Sequence, residues 1–138
     1  MIPAPAPRLL AAVAVGGALG ALARWGLGEA FPDGSGFPWT TFGINVGGSF
    51  VLALLPAFAV VRRNRPLALG LGPGVLGGFT TLSTYAEQSR ALLADGRAGL
   101  AASYVLGTLA VCVAAVAVAH RLSSPLAQRE FEDEEGNE

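Results

Sequence analysis

The sequence predicts an all-α membrane protein with four transmembrane helices. Hydrophobic residues make up 52% of the 138 residues and charged residues only 14%, whereas soluble domains carry about 25% charged residues. Four apolar stretches reach the length of about 20 residues that a helix needs to cross a bilayer. Their apolar character is continuous rather than alternating, which argues against β-strands.

The first predicted span covers residues 9–30 and follows Arg8. We interpret it as a membrane span rather than a signal peptide, because its apolar run continues to Ala23 and three more apolar segments follow. Arg24, near its far end, is expected to be structural, either reaching the membrane interface or donating hydrogen bonds to loop carbonyls. The linker at residues 31–38 is rich in proline and glycine, which predicts a turn.

The second predicted span covers residues 39–61 and ends at the basic stretch 62–66. Thr41, Asn45 and Ser49 are spaced four residues apart, so they lie on one helical face. Asn45 is the costly residue of the three, because a buried amide needs hydrogen-bond partners. It either joins two helices by a hydrogen bond, which is common in membranes, or donates its N–H groups to an anion.

The third predicted span covers residues 67–94. Its first half holds Pro73 among several glycines and its middle is rich in threonine, and both features weaken an α-helix. A break near residues 77–81 would free backbone carbonyls at mid-membrane depth, where protein, water or an ion must satisfy them. The alternative is a continuous glycine-rich helix packed closely against a neighbour.

The fourth predicted span covers residues 98–119 and follows a turn at residues 95–97. Tyr104, Thr108 and Cys112 are again spaced four residues apart, which makes a second mildly polar stripe on one face. Threonine and cysteine can also hydrogen-bond to the backbone of their own helix. The stripe is therefore compatible with either a polar path or a structural role.

Residues 1–122 are predicted to form one membrane domain, and the acidic stretch 123–138 a solvated, disordered tail. The single cysteine allows neither an intrachain disulfide nor a cysteine-based metal site. The net charge of −1 gives no basic surface for nucleic acid. The spans contain no Ser-His-Asp set, phosphate-binding loop or paired carboxylates, which argues against an enzyme.

Three segments resemble motifs of one family of small membrane proteins. Residues 77–85 read GGFTTLSTY and resemble the GGxTTFSTF signature of the small fluoride channels, the Fluc/CrcB family. Residues 16–25 resemble that family's GGxxGAxxRY/W opening, and residues 41–50 resemble its TxxxNxxGxF segment. The motifs occur in the family's order on three of the four spans. The resemblance covers residues 10–120.

The resemblance implies an antiparallel dimer of four-helix subunits whose third helices break and cross at the dimer centre. It also implies a buried structural Na⁺ held by the carbonyls of Gly77 and Thr80 from both subunits. Oxygen ligands suit such a hard cation. The ion would fix the interface and would not be transported.

The resemblance further implies two narrow fluoride pathways along the dimer interface. Asn45 matches the family's pore-lining asparagine, and Thr41, Tyr104 and Thr108 fall where family members place polar groups. Hydrogen-bond donors and electropositive ring edges can replace water around a small anion.

This chain departs from the family pattern at three positions. The family usually has phenylalanine at the positions of Leu82 and Tyr85, whose rings present their edges to fluoride. Leu82 has no ring, and Tyr85 adds a hydroxyl that needs a partner. Many members have glutamate where this chain has Gln88, with Glu87 one residue earlier.

The implied function is passive, selective fluoride efflux across the plasma membrane, which confers fluoride resistance. Arginines are biased towards one side of the membrane, which predicts a fixed orientation with both termini in the cytoplasm. The six on that side are Arg8, Arg62, Arg63, Arg65, Arg121 and Arg129. The other side has Arg90 and Arg97, with Arg24 as a third if it is included.

The bias favours a heterodimer with a paralogous subunit of opposite orientation and complementary aromatic residues, the alternative being a homodimer. Two other functions remain. One is a non-conducting partner subunit of a heterodimeric channel, for which the missing ring at Leu82 is the reason. The other is a small proton-coupled multidrug exporter, which needs a carboxylate deep in a span. Glu29 and Glu87 are poorly placed for that role.

Overall fold

The computed structural model describes residues 6–135, with side chains for residues 6–123, and this part of the chain contains helices and turns but no strand. The predicted all-α class is therefore confirmed. The long helices are α1 (Pro7–Ala30), α2 (Trp39–Leu54), α6 (Leu82–Ala94) and α7 (Ala98–Glu135). Between α2 and α6 lie a 3₁₀ turn (Leu55–Ala57), α3 (Ala59–Arg63), α4 (Arg65–Leu69), a π-helical segment (Gly70–Leu76) and α5 (Gly77–Phe79).

Three helical stretches of the described residues are long and apolar enough to cross a membrane. They are Pro7–Ala30, Trp39–Ala57 and Ala98–Ser123, with mean hydropathies of 1.5, 1.4 and 2.2. They correspond to the first, second and fourth predicted spans. The predicted third span is not among them, because it is divided into short pieces.

The division of the third span has a local chemical cause. Pro73 lies inside the π-helical segment, where it has no N–H to donate and its ring displaces the carbonyl four residues earlier. Further on, Thr80 and Thr81 adopt extended backbone with ψ of 157° and 118°. The predicted interruption near residues 77–81 is therefore observed at Thr80–Thr81.

The prediction that the second span continues to Val61 is wrong. Pro56 lies in the 3₁₀ turn and the backbone is extended at Phe58, with ψ of 118°. The proline lacks the N–H that the next helical hydrogen bond requires, so the helix ends there.

The predicted fourth span at residues 98–119 agrees with the apolar stretch Ala98–Ser123, and helix α7 itself continues to Glu135. The residues of the predicted disordered tail at 123–138 fall almost wholly outside those whose side chains are described. That assignment stays a prediction.

Helix α1 packs closely, through its glycines, against residues 70–79, which precede the interruption at Thr80–Thr81. A Cβ atom built on Gly16 would overlap the carbonyl oxygen of Gly70, and one on Gly20 would overlap that of Val75. From the other side, a Cβ on Gly78 would overlap the carbonyl oxygen of Gly17. Small residues thus let the two backbones touch, as is usual between membrane helices.

Replacing Gly20 by alanine is expected to lower the free energy of unfolding by about 1–3 kcal/mol, because the new methyl group must displace backbone rather than a flexible side chain. Equilibrium unfolding in detergent measures the change. Gly26→Ala is the matched control on the same helix, since no atom lies within 4 Å of its Cβ position. Equal stabilities of the two variants would contradict the close packing of α1.

Helices α2, α6 and α7 meet around Tyr104, whose side chain is 0% exposed. Phe37 packs edge-on against its ring at a centroid distance of 5.3 Å, and Tyr85 lies 5.1 Å away. Leu92 and Ala101 complete the buried centre of this cluster. The cluster sets the distance between α6 and α7 and so positions the residues that follow the break.

Candidate functional site

Asn45, on α2, holds the backbone of Thr81 in place at the interruption. Its Oδ1 accepts a hydrogen bond from the Thr81 N–H at 2.8 Å, and its Nδ2 donates to the Thr81 carbonyl at 3.0 Å. The amide thus satisfies both backbone groups of a residue that has left the helix. The interhelical hydrogen bond is therefore present, and the second N–H of the Asn45 amide is not used by Thr81.

The same arrangement removes the helical partners of two carbonyl groups. In a continuous helix the Thr81 N–H would donate to Gly77, and the Thr84 N–H to Thr80. Here the Thr81 N–H donates to Asn45, and the Thr84 N–H donates to the Thr81 hydroxyl at 3.1 Å. The carbonyls of Gly77 and Thr80, predicted as metal ligands, thus lose these donors.

The part of the chain that the structure describes contains no group of three or more His, Cys, Asp or Glu residues that could hold a metal ion. The freed carbonyls of Gly77 and Thr80 are chemically suited to a hard cation.

Arg24 approaches the break from α1. Its Nε donates to the carbonyl of Gly78 at 3.1 Å, and the side chain is partly buried. A charge-assisted hydrogen bond of this kind is stronger than a neutral one. The contact holds the Gly78 carbonyl in place and so connects α5 to α1.

A groove of about 290 Å³ opens beside the break, between α2, α6 and α7. It brings together four of the residues predicted to line a pore. They are Asn45, Leu82, Tyr85 and Thr108, and Ser49 and Cys112 lie beside them.

Thr108 carries the clearest sign that the groove takes a polar occupant. Its side chain is only 4% exposed, and its Oγ1 has no hydrogen-bond partner among the described residues. A buried hydroxyl without a partner costs roughly 1–3 kcal/mol. Because Thr108 lines the groove, a polar species there would remove this cost.

Tyr85 and Leu82, both predicted to line a pore, differ in their surroundings. The Tyr85 hydroxyl donates to the Val105 carbonyl at 2.9 Å, so the partner that it needs is on α7. Leu82 is 78% exposed at the edge of the groove. The ring of Tyr85 therefore remains beside the groove, whereas Leu82 projects away from the subunit.

A second cavity, of about 530 Å³, lies on the other side of the break. Arg24, Asp33, Thr41 and Gln88 line it, and Thr81 lines both it and the groove. Thr41 therefore lies in this cavity and not with Asn45 in the groove.

Tyr104 is not among the residues that line either the groove or the second cavity. Its hydroxyl donates to Gln88 Oε1 at 2.8 Å.

Asp33 is a site residue that the sequence interpretation missed. Its carboxylate accepts hydrogen bonds from the N–H groups of Thr40 (2.7 Å) and Thr41 (3.1 Å), the Thr41 hydroxyl (2.9 Å) and Gln88 Nε2 (3.1 Å). It thus caps α2 and joins it to α6. An acidic residue shortly before a helix whose second and third residues are threonines was the available signal.

The Asp33 carboxylate is expected to stabilise the fold above pH 3.8 and less at lower pH. Burial by itself raises the pKa of Asp33, but the hydrogen bonds from Thr40, Thr41 and Gln88 outweigh it, so the pKa lies below 3.8. A lowered pKa favours the folded state where the carboxylate is ionised, and this contribution is lost as the pH falls through the folded-state pKa.

Asp33→Asn tests this contribution. It should lower the free energy of unfolding at pH 7 by about 1 kcal/mol, the difference between hydrogen bonds to a charged acceptor and to a neutral one. The difference from the unmodified chain should shrink below pH 3.8. A difference that stays constant down to pH 2 would show that the charge is not the cause.

Comparisons with known proteins agree with the sequence resemblance. Residues 11–120 match the family described as CrcB-like protein, Camphor Resistance (CrcB). Fluoride-specific ion channel FluC 1 of Streptomyces coelicolor is 42% identical over 113 residues, covering 78% of this chain and 72% of that protein. Fluoride-specific ion channel FluC of Agrobacterium fabrum is 40% identical over 111 residues (78% and 89%), and one from Thermus thermophilus is 39% identical over 117 residues (83% and 94%).

The names of these relatives describe ion channels, a transport function rather than an enzymatic one, as expected from the sequence. Together with the three long apolar helices, the match indicates an integral membrane protein. Since the family match spans residues 11–120 and the relatives above are 39–42% identical, the chain belongs to the CrcB-like protein family.

Proposed function

We propose that this chain is one subunit of a dimeric fluoride channel in the plasma membrane, which lowers cytoplasmic fluoride by passive efflux. The observation that carries the proposal is the helix interruption at Thr80–Thr81, which Asn45 holds beside a groove containing an unpartnered buried hydroxyl. The names of the relatives support the choice of fluoride among anions.

The groove offers the groups that a small, strongly hydrated anion needs in place of water. The second N–H of Asn45 and the hydroxyl of Thr108 are hydrogen-bond donors, and the edge of the Tyr85 ring is electropositive. Conduction requires that such groups replace hydration water without holding the ion too tightly. No reaction and no nucleotide is involved.

A second subunit would complete the site. Leu82 is 78% exposed at the edge of the groove, so a neighbouring subunit placed there would close the groove into a pathway. In an antiparallel dimer the two interruptions meet at the centre. The carbonyls of Gly77 and Thr80 from both subunits would then hold a structural Na⁺, which neutralises their partial negative charge and fixes the interface.

The partner is either a second copy or a paralogous subunit. Leu82 cannot supply a ring edge, and the arginine bias predicts a single orientation with both termini in the cytoplasm. Both features favour a paralogous partner that supplies the missing aromatic residues.

Leu82 also supports the second candidate, in which this chain completes a heterodimer whose conducting pathway is lined by the partner. The exporter alternative has less support. Glu87 makes a two-bond ion pair with Arg90, at 2.6 and 2.9 Å, on an exposed face. Glu87 is therefore already paired with a cation, unlike the free proton-binding carboxylate that such an exporter needs.

Fluoride efflux from liposomes tests the proposal. Liposomes that hold the purified chain, alone or with a co-expressed paralogue, should release fluoride but retain chloride, as measured with ion-selective electrodes. Replacing Na⁺ by a large organic cation during purification should abolish the release. Equal release of both anions, or no release from either preparation, would contradict the proposal.

A further inference from the structure

A continuous chain of hydrogen bonds connects the first linker to α7. Asp33 accepts from the Thr41 hydroxyl at 2.9 Å and from Gln88 Nε2 at 3.1 Å, and Gln88 Oε1 accepts from the Tyr104 hydroxyl at 2.8 Å. The linker, α2, α6 and α7 each contribute one member. Three members, Asp33, Thr41 and Gln88, line the second cavity, called here the entrance cavity.

The Asp33 carboxylate determines which group donates and which accepts in each of these hydrogen bonds. An ionised carboxylate only accepts hydrogen bonds, whereas an amide or a hydroxyl can donate or accept. Facing Asp33, the Gln88 amide must present its nitrogen, which leaves its oxygen for Tyr104. The Tyr104 hydroxyl must then donate. Without the carboxylate, the amide could turn over and reverse both bonds.

We propose that Asp33 is a positioning residue of the anion pathway, which holds the amide N–H side of Gln88 towards the entrance cavity and makes Tyr104 a donor to that amide. Gln88 Nε2 carries two hydrogens, and one of them is donated in the hydrogen bond to Asp33. The other is left as a donor for an anion in the entrance cavity. The inference rests on the proposed channel function.

The carboxylate acts through Gln88 rather than on the anion itself. A negative charge repels fluoride, so Asp33 would oppose entry if it were exposed alone. Four hydrogen bonds to its two oxygens spread this charge over neighbouring donors. Arg24 and Glu29 line the same cavity, so the positive charge of Arg24 offsets the negative charge of one carboxylate, and the donors around Asp33 must offset the other.

The test uses the full-length channel and a spectroscopic signal that does not depend on transport. The chain has two tyrosines, so ¹³Cζ-tyrosine labelling gives two signals, and Tyr85, bonded to the Val105 carbonyl, is the internal reference. Asp33→Asn should move the Tyr104 signal and leave that of Tyr85 in place. Asp95→Asn neutralises a carboxylate in the turn between α6 and α7, and it should move neither signal.

Gln88→Leu separates orientation from folding, because it leaves the bonds from Asp33 to α2 intact. It should also move the Tyr104 signal. Fluoride efflux should fall at least about fivefold for Asp33→Asn and for Gln88→Leu, the loss that corresponds to one hydrogen bond of about 1 kcal/mol, and stay unchanged for Asp95→Asn.

A Tyr104 signal that is unmoved in either variant, or efflux from Asp33→Asn within twofold of the unmodified channel, would overturn the positioning role. An unmodified channel that releases no fluoride would contradict the proposed function alone. In that case the tyrosine signals still decide whether Asp33 orients Gln88 and Tyr104.

Discussion

Replacing Asn45 by alanine is expected to reduce fluoride efflux by about 100-fold or more, the largest effect of any single substitution in this chain. The amide makes two hydrogen bonds to Thr81, at 2.8 and 3.0 Å. Its removal leaves a buried N–H and a buried carbonyl without partners, at a cost of roughly 1–3 kcal/mol for each group. The extended conformation of Thr81 then loses its support, and with it the placement of the freed carbonyls.

The same substitution also removes the second N–H of the amide, a candidate donor to the anion. Asn64→Ala is the matched control, since Asn64 likewise caps a backbone N–H, that of Leu67 at 3.1 Å, but lies away from the break. Efflux from liposomes at equal protein content, with the helical content of each variant checked by circular dichroism, gives the comparison. Efflux from Asn45→Ala within threefold of the unmodified chain would argue against a central role for the two hydrogen bonds between Asn45 and Thr81.

Replacing Thr108 by valine is expected to reduce fluoride efflux by about tenfold while leaving stability unchanged or raising it. Valine has the shape of threonine without the hydroxyl. Because Thr108 Oγ1 is buried without a partner among the described residues, its removal eliminates a desolvation cost of roughly 1–3 kcal/mol rather than a hydrogen bond. If an anion is the hydrogen-bond partner of that hydroxyl during conduction, the substitution lowers fluoride efflux without lowering stability.

This opposite response of stability and transport distinguishes a ligand-binding hydroxyl from a structural one. A structural hydroxyl would give the reverse result, with lower stability and unchanged efflux. Ser103→Ala is the control on the same helix, because its hydroxyl donates to the Gly99 carbonyl at 2.9 Å and its side chain is exposed. It should change neither property appreciably.

Local chemistry explains which parts of the fold could be predicted from the sequence. The interruption at Thr80–Thr81 follows from a proline, several glycines and a run of threonines, all of which act on the backbone next to them. The long apolar helices follow from composition. The end of α2 was placed too late because Pro56 stands inside an otherwise apolar run, where hydropathy alone gives no boundary.

Long-range contacts explain what could not be predicted. The Asn45 amide was recognised as needing a partner, but that partner is the backbone of a residue 36 positions away. Asp33 and Gln88 are 55 positions apart, and each is an ordinary polar residue in its own segment. Only the packing of α1, α2 and α6 around the break brings such groups together, so no local pattern reports them.

Selective fluoride conduction is tested most directly by the reversal potential of the current across a planar bilayer that contains the purified channel. With chloride equal on both sides and a tenfold fluoride gradient, we expect the current to reverse about 59 mV from zero, the value for a monovalent ion alone. A reversal potential near zero under the fluoride gradient, or one that follows a chloride gradient instead, would contradict a fluoride-selective pathway through this protein.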